Sequence, residues 1–279
     1  MRRTILVAAL TLAAPAVGIA AAGDQHHSQV ARTPGLTATF SYVESGGELP
    51  HRYTDGRVTI VRADGRRFAF SLRPLRPGYD VAPIFAGPDG KAIHIRHLDD
   101  KRGDPEVVVD LYWGGAHCCT IGLVYSFDGA GYRIAEHNFG DPGFRLADLG
   151  DDGRTEFLTA DDRFAYRYTA YAFSVLPVRV LAWDGSRLSD ETAAYPDRIR
   201  ADLRRTWRLL RTARRHDIEP RGAAAAWAAN RYRLGKRRGT LQALRRLARA
   251  GRLDGYAPRD PLKFVSALDR FLLRSGYAA

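Results

Sequence analysis

The sequence has few cysteines and few lysines, and it lacks a long apolar segment beyond its N-terminus. Its two cysteines are adjacent, which excludes a network of disulfides between distant segments. Several common catalytic signatures are also absent: the Gly-x-Ser-x-Gly elbow, the His-Glu-x-x-His helix, the phosphate-binding glycine loop and the dinucleotide fingerprint. These absences remove the most frequent enzyme classes without excluding an enzyme.

The first 22 residues have the three parts of a bacterial signal peptide. Arg2 and Arg3 give a positive start, residues 4–17 an apolar centre, and residues 20–22 small side chains for cleavage. The apolar centre is too short for a comfortable membrane span. We therefore expect export to a secreted or extracytoplasmic location in the cell envelope. Retention of this segment as an anchor is the alternative.

Charge is divided unevenly along the chain. Residues 198–279 carry 22 lysines and arginines against 6 acidic residues, whereas residues 24–197 carry 19 against 25. Such asymmetry bears on association rather than on fold. In an exported protein the basic part suits anionic envelope polymers or lipid headgroups, and we expect no nucleic acid as a partner. A solvated helix surface is the simpler interpretation.

Up to about residue 190 the hydrophobic pattern has a period of two. Leu36, Ala38, Phe40 and Tyr42 alternate with polar residues, which predicts a half-buried strand, and similar runs follow. Asp-Gly pairs between the runs suit hairpin turns. The sequence therefore predicts an antiparallel β-rich domain over residues 35–190, preceded by a flexible linker over residues 23–34.

After Tyr195 the period becomes helical. Leu203, Trp207 and Leu210 lie on one face, with arginines over the rest of the surface. We expect a basic α-helical segment over residues 196–279, composed of four helices. The predicted fold class is α+β, with the helices covering an exposed edge of the β-rich part.

An acidic loop precedes one of the predicted strands. Asp148, Asp152 and Glu156 occupy the first, fifth and ninth places of an arrangement that surrounds a hard cation with oxygen ligands. Gly150 stands at the third place, where Asp or Asn would be expected. The sequence thus predicts a calcium (Ca²⁺) site, and the alternative is a turn whose carboxylates accept main-chain N–H groups.

An earlier segment repeats this loop in altered form. Residues 97–106 also end in a glutamate before an apolar strand, and Glu106 and Glu156 lie 50 residues apart. Lys101 and Arg102 stand where the central aspartate belongs. The spacing predicts a structural repeat, whereas the basic residues weaken the case for calcium at the first copy.

These loops and their following strands resemble the FG-GAP or VCBS repeats of secreted bacterial proteins. A fuller resemblance is to uncharacterised exported proteins, especially actinobacterial ones. Those proteins join such a loop to a Gly-Gly-Ala-His-Cys-Cys segment, here residues 114–119, and end in Ala- and Leu-rich helices like residues 227–235. The resemblance covers residues 37–277. It implies a partial β-propeller or a β-sandwich of FG-GAP-like repeats, and calcium as a candidate ligand, but no established reaction.

Cys118 and Cys119 are neighbours in a chain that we expect to meet an oxidising compartment. A vicinal disulfide is the only intramolecular bridge they can form, although adjacent residues lie closer than the usual bridged pair. Two buried free thiols are a second hypothesis. A functional thiol or soft-metal site with His117 is the third.

An aromatic segment follows the acidic loop. Phe164, Tyr166 and Tyr168, interleaved with arginines, suit a face that stacks on a ligand, together with His117; packing in the core is the alternative. We expect an exported, non-enzymatic binding or surface-interaction protein for an unknown extracellular ligand. The alternatives are a secreted hydrolase or redox protein using residues 117–119, and an envelope-associated protein held by its basic helices.

Overall fold

The computed structural model of the protein describes residues 23–45, 52–72, 82–83, 90–99, 103–115, 118–216, 218–255 and 258–278. The predicted signal peptide, the Lys101-Arg102 pair and His117 lie outside the described residues. No helix in the described ranges is both long enough and apolar enough to cross a membrane.

Thirteen described strands form three antiparallel sheets. Their bounds are β1 Gln25–Thr33, β2 Leu36–Ser45, β3 Arg52–Arg62, β4 Arg67–Ser71, β5 Ala82–Pro83, β6 Ile93–Arg96, β7 Glu106–Gly115, β8 Cys118–Phe127, β9 Tyr132–Gly140, β10 Arg145–Ala147, β11 Glu156–Ala160, β12 Val178–Trp183 and β13 Leu188–Asp190. Sheet A contains β1 to β4, sheet B contains β5 to β9, and sheet C contains β10 to β13. Neighbouring strands follow chain order, except that β7 pairs with both β5 and β6.

The same hairpin closes each sheet between its last two strands. Asp64, Asp128 and Asp184 each accept a hydrogen bond at 2.9–3.0 Å from the main-chain N–H two residues later. Each also accepts a hydrogen bond from an arginine in its own hairpin. The glycine that follows each aspartate has a positive φ of 82° to 99°, which favours this residue type. The three sheets therefore share one local design.

Sheet B lies between the other two sheets. One apolar cluster joins sheets A and B through residues such as Phe40 and Leu111, and a second joins sheets B and C through residues such as Val108 and Phe157. The consecutive valines 107–109 of β7 are all fully buried. A strand with both faces covered is uniformly apolar rather than alternating. The central position of β7 therefore explains why three valines follow one another here without intervening polar residues.

Four helices complete the chain. They are α1 Pro196–Arg215, α2 Arg221–Arg233, α3 Arg237–Arg249 and α4 Pro261–Arg274. The alanine-rich α2 is buried on almost every side, since small side chains let its neighbours approach closely. Asp260 caps α4 by accepting hydrogen bonds from the N–H groups of Leu262 and Lys263. The helices have their own apolar core.

The predicted α+β class, with a β-rich region followed by helices, is confirmed. The last strand ends at Asp190 and α1 begins at Pro196. The segment expected to be a flexible linker, residues 23–34, instead contains β1, whose nine residues all pair with β2. β1 is an edge strand whose side chains are exposed or half-buried, so no alternating apolar pattern marks it in the sequence.

Candidate functional site

A cavity of about 670 Å³ lies where sheet B meets sheet C. The beginning of β8 and the end of β9 form one side, and the end of β11, the turn after it and β12 form the other. The lining residues are Cys118, Cys119, His137, Asn138, Phe139, Gly140, Thr159, Ala160, Asp161, Asp162, Arg163, Arg179 and Leu181. Concave sites with mixed apolar and polar walls are where proteins bind small molecules.

A vicinal disulfide forms part of the cavity wall. The sulfurs of Cys118 and Cys119 are bonded to each other, and the peptide bond between these residues is cis. The predicted vicinal disulfide is therefore present, and the two cysteines are not free thiols in this structure. Cys119 is buried against the core between sheets A and B, whereas Cys118 is half-buried. The disulfide presents a compact, uncharged surface to the cavity.

Arginines contact two carboxylates in and beside the cavity, and the second carboxylate, Asp190, is shared between Arg179 and Arg233. Arg163 donates to both carboxylate oxygens of Asp161, at 2.6–3.1 Å, and Arg179 donates to Asp190 at 2.9 Å. The buried Asp161 also accepts a 2.7 Å hydrogen bond from the Tyr277 hydroxyl. Burial alone would raise the pKa of Asp161, but the hydrogen bonds from Arg163 and Tyr277 outweigh it and lower the pKa.

Asp162 differs from its neighbour because no arginine neutralises it. Its Oδ1 atom is buried and has no hydrogen-bond partner among the described residues. Burial raises the pKa of Asp162 above its ordinary range. The carboxylates of Asp141 and Asp161 raise it further, against a main-chain hydrogen bond from Asp141 that lowers it. A buried acceptor without a partner is costly, so this atom marks a place where a ligand could donate a hydrogen bond.

Gly140 and His137 complete this side of the cavity. Gly140 has a φ of +71°, and a Cβ atom at this position would collide with the Asp162 carboxyl group. Only glycine therefore permits the close approach of β9 to Asp162. Burial lowers the pKa of His137, and the charge of Arg179 lowers it further, which favours the neutral imidazole. The His137 ring contacts Phe139 with their centroids 4.7 Å apart.

The loop predicted to bind calcium uses its carboxylates within the protein. Asp148 accepts two main-chain hydrogen bonds at 2.9–3.2 Å, and Asp152 accepts one from the N–H of Arg154 at 2.9 Å. The buried Glu156 accepts hydrogen bonds from the N–H of Leu149 and from Nε of Arg154, both at 2.9 Å. No group of three or more His, Cys, Asp or Glu side chains in the described part of the chain is placed to hold a metal.

These contacts do not fit a calcium cage, because Arg154 already supplies the positive charge beside Glu156. Calcium at Asp148, Asp152 and Glu156 stays a prediction, which thermal melting with calcium and with a chelator tests. A melting temperature that rises with calcium and falls on chelation would support the predicted site. An unchanged melting temperature would leave the loop as a turn closed by its own hydrogen bonds.

The glutamates of the two loop copies have equivalent roles. Glu106 is the first residue of β7 and accepts a 3.0 Å hydrogen bond from the N–H of Leu98, as Glu156 does at the start of β11 from Leu149. Glu106 is also buried, but no arginine within the described ranges pairs with it as Arg154 pairs with Glu156. Burial, and to a lesser degree the charge of the nearby Asp99, raise its pKa from 4.5 to about 7.

The aromatic residues proposed to stack on a ligand do not lie together. Phe164 and Tyr168 are buried in the helical core, where they contact Phe271 and Phe264 with ring centroids 5.1 Å apart. Tyr166 has a positive φ of 56° and is 59% exposed. None of the three is among the residues that line the described cavity. Phe164 and Tyr168 therefore pack in the core, which was the alternative to a ligand-stacking face.

The polar residues of the cavity were not predicted as a site. His137, Asp161, Asp162 and Arg179 come from three separate parts of the chain, and no local spacing connects them. The available signals were the paired carboxylates before Arg163 and the cysteine pair. Neither indicates by itself that these segments face one another.

No protein-family model matches the chain, and no solved structure matches it. An uncharacterised protein of Sinorhizobium fredii, y4bJ, is 33% identical over 147 residues, which make up 50% of this chain and 22% of that protein. A Synechocystis protein named probable thylakoid lumen protein sll0997 is 28% identical over 149 residues, which make up 52% of this chain and 44% of that protein. The chain thus spans less than half the length of either relative.

Proposed function

We propose that the protein is an exported, non-enzymatic binding protein that holds a small ligand in the cavity beside the Cys118–Cys119 disulfide. The observation that carries this proposal is the unpartnered Oδ1 atom of Asp162, which lines a cavity of about 670 Å³. The signal-peptide pattern supports export. The name of the Synechocystis relative, a thylakoid lumen protein, also supports an extracytoplasmic location.

We also propose that the three sheets are structural repeats of the FG-GAP-like class. The three matching aspartate hairpins and the equivalent hydrogen bonds of Glu106 and Glu156 support FG-GAP-like repeats, with each sheet as one unit. Three sheets arranged as neighbouring blades would make a partial β-propeller. An experimental structure would test this arrangement, since blades share a central axis and sandwich sheets do not.

The charges of the cavity favour a positively charged ligand. Of the two carboxyl groups that line the cavity, Asp161 is paired with Arg163, whereas no arginine of the described ranges pairs with Asp162. The disulfide, Phe139 and Leu181 offer apolar surface on the same walls. A ligand with an ammonium group on a compact apolar body would satisfy both features.

Three probes of equal size and different charge test this specificity: benzylamine, benzyl alcohol and benzoate. We expect benzylamine to bind at least about tenfold more tightly than benzyl alcohol, because a hydrogen bond to a charged group is worth about 1.5–3 kcal/mol. Benzoate should not bind. Acidification should weaken benzylamine binding as Asp162 becomes protonated. Titration of each probe, followed by ligand-observed NMR, measures whether it binds and how tightly.

Asp162→Asn is the decisive variant for this site. It should abolish the preference for benzylamine over benzyl alcohol, since asparagine has the same shape without the charge. Asp151→Asn is the matched control, because Asp151 is exposed, lies outside the cavity and has a positive φ that asparagine tolerates. Equal binding of all three probes, or an unchanged preference in Asp162→Asn, would contradict the proposal.

A second candidate function is redox exchange at the same disulfide. It is favoured by the position of Cys118 and Cys119 in the cavity wall. A dithiol donor would attack one sulfur, form a mixed disulfide and then close its own disulfide, leaving two thiols on the protein. Mass measurement after treatment with a dithiol and an alkylating agent tests this. Reduction of the folded protein would support it, whereas thiols that become available only after denaturation would contradict it.

A further inference from the structure

An arginine stripe runs along the outward face of α1. It consists of Arg204, Arg208, Arg211 and Arg215, whose spacings of four, three and four residues place them on one side of the helix. The buried residues of α1, Ile199, Asp202, Thr206, Leu210 and Ala213, lie on the opposite side. All four stripe arginines are exposed, so the stripe points away from the helical core.

The stripe is not neutralised within the described protein. The two carboxylates of α1, Asp197 and Asp202, pair with Arg200 and Arg205 at 2.7 Å and 2.6 Å. No ion pair is present for the four stripe arginines in the ranges that the structure describes. Like charges three and four residues apart repel each other and destabilise a helix. Within the described ranges this arrangement lowers helix stability without an internal counter-charge, which favours an external anion as its partner.

The shape of the stripe distinguishes between anionic partners. At 1.5 Å per residue, its four arginines extend over roughly 16 Å in a line about one side chain wide. Trp207 at its flank is 37% exposed, but its ring packs against that of Trp227, with centroids 5.5 Å apart and the planes tilted by 34°. No large apolar side chain of α1 lies on the stripe itself, so nothing there is suited to insertion among lipid chains.

We propose that the stripe binds a linear polyanion that carries phosphate groups along its length, with the polymer lying parallel to α1. Guanidinium groups bind phosphate oxygens in pairs, and a row of them matches a chain better than it matches a plane. This inference is independent of the cavity, because α1 contributes none of the residues that line it.

Long-chain polyphosphate is the probe for this surface. We expect binding that falls steeply with salt, with a slope of about −3 in a double-logarithmic plot for four contacts, or a roughly 60-fold loss between about 50 mM and about 200 mM salt. Replacing all four stripe arginines by glutamine should abolish this binding. The melting temperature of that variant should equal or exceed that of the unchanged protein, because mutual repulsion is removed.

The matched control removes the same number of charges elsewhere. Arg66, Arg133, Arg187 and Arg237 lie outside α1, are exposed and are already paired with aspartates, so their replacement by glutamine should leave polyphosphate binding nearly unchanged. An equal loss in both quadruple variants would overturn the inference and leave net charge alone as the cause. Binding to phosphatidylglycerol vesicles without binding to polyphosphate would also overturn it, in favour of a lipid surface.

Discussion

Replacing Glu106 by glutamine is expected to stabilise the protein at pH 7 by on the order of 3 kcal/mol, because a pKa difference of one unit corresponds to about 1.4 kcal/mol. Burial raises the pKa of Glu106 from 4.5 to about 7, so the native state holds a proton that the unfolded chain releases. Glutamine has the same shape, can accept the hydrogen bond from Leu98, and has no charge to bury.

The direction of the pH effect follows from this difference. Below pH 4.5 the carboxyl group is protonated in both states and has no influence on the pH dependence of stability. As the pH rises from 4.5 to about 7, the unfolded state loses the proton first, and the stability of the unchanged protein falls. The advantage of Glu106→Gln should therefore be absent near pH 4.5 and complete slightly above pH 7.

Urea unfolding of both proteins between pH 4 and pH 8 gives the two free-energy curves. Glu136→Gln is the control, since Glu136 is exposed on β9 and its replacement should have little effect on stability. Parallel curves for Glu106→Gln and the unchanged protein would contradict a buried, protonated Glu106.

Replacing Asp161 by alanine is expected to destabilise the protein by about 2–3 kcal/mol, since it leaves the buried Tyr277 hydroxyl without its acceptor and removes the charged hydrogen bonds from Arg163. Asp161 is fully buried and binds both the Arg163 guanidinium and the Tyr277 hydroxyl. Tyr277 lies beyond α4 and is itself buried, so this carboxylate connects the cavity wall to the end of the helical segment. Its stabilising effect should be present above the ordinary carboxyl pKa and lost as the pH falls through its lower native pKa.

Asp197→Ala is the matched control for this prediction. Asp197 also pairs with an arginine, Arg200, at 2.7 Å, but its side chain is 92% exposed. An exposed ion pair contributes about 1 kcal/mol or less. Tyr277→Phe should cost less than Asp161→Ala, since it removes only one of the hydrogen bonds. Similar losses for Asp161→Ala and Asp197→Ala in urea unfolding would contradict the connecting role of Asp161.

The sequence predicts those parts of the fold that depend on local patterns. Alternating residues such as Leu36, Ala38 and Phe40 are buried in β2 as expected, and Asp260 begins α4 by capping it. Asp-Gly pairs lie at the predicted hairpins because the turn requires a positive φ at glycine. These signals act over a few residues, which is why they can be read without tertiary structure.

The cavity could not be predicted in the same way. Cys118, His137 and Asp162 become neighbours only when sheets B and C pack together. An aromatic face would need Phe164, Tyr166 and Tyr168 to point to the same side, as alternate residues of a strand do. A 3₁₀ turn at residues 162–164 and the positive φ of Tyr166 turn these side chains in different directions. Tertiary packing thus assembles the cavity, which local patterns do not reveal, and separates the three aromatic side chains, which local patterns had placed together.

We propose above that the cavity beside the disulfide is the ligand site. Amide chemical shifts of the isotope-labelled protein, recorded during a benzylamine titration, test this claim most directly. We expect the shifts to cluster at Cys119, Gly140 and Asp162, and to be much smaller at the same benzylamine concentrations in Asp162→Asn, which lacks the charged acceptor. Shifts confined to other surfaces, or a cluster that persists unchanged in Asp162→Asn, would contradict it.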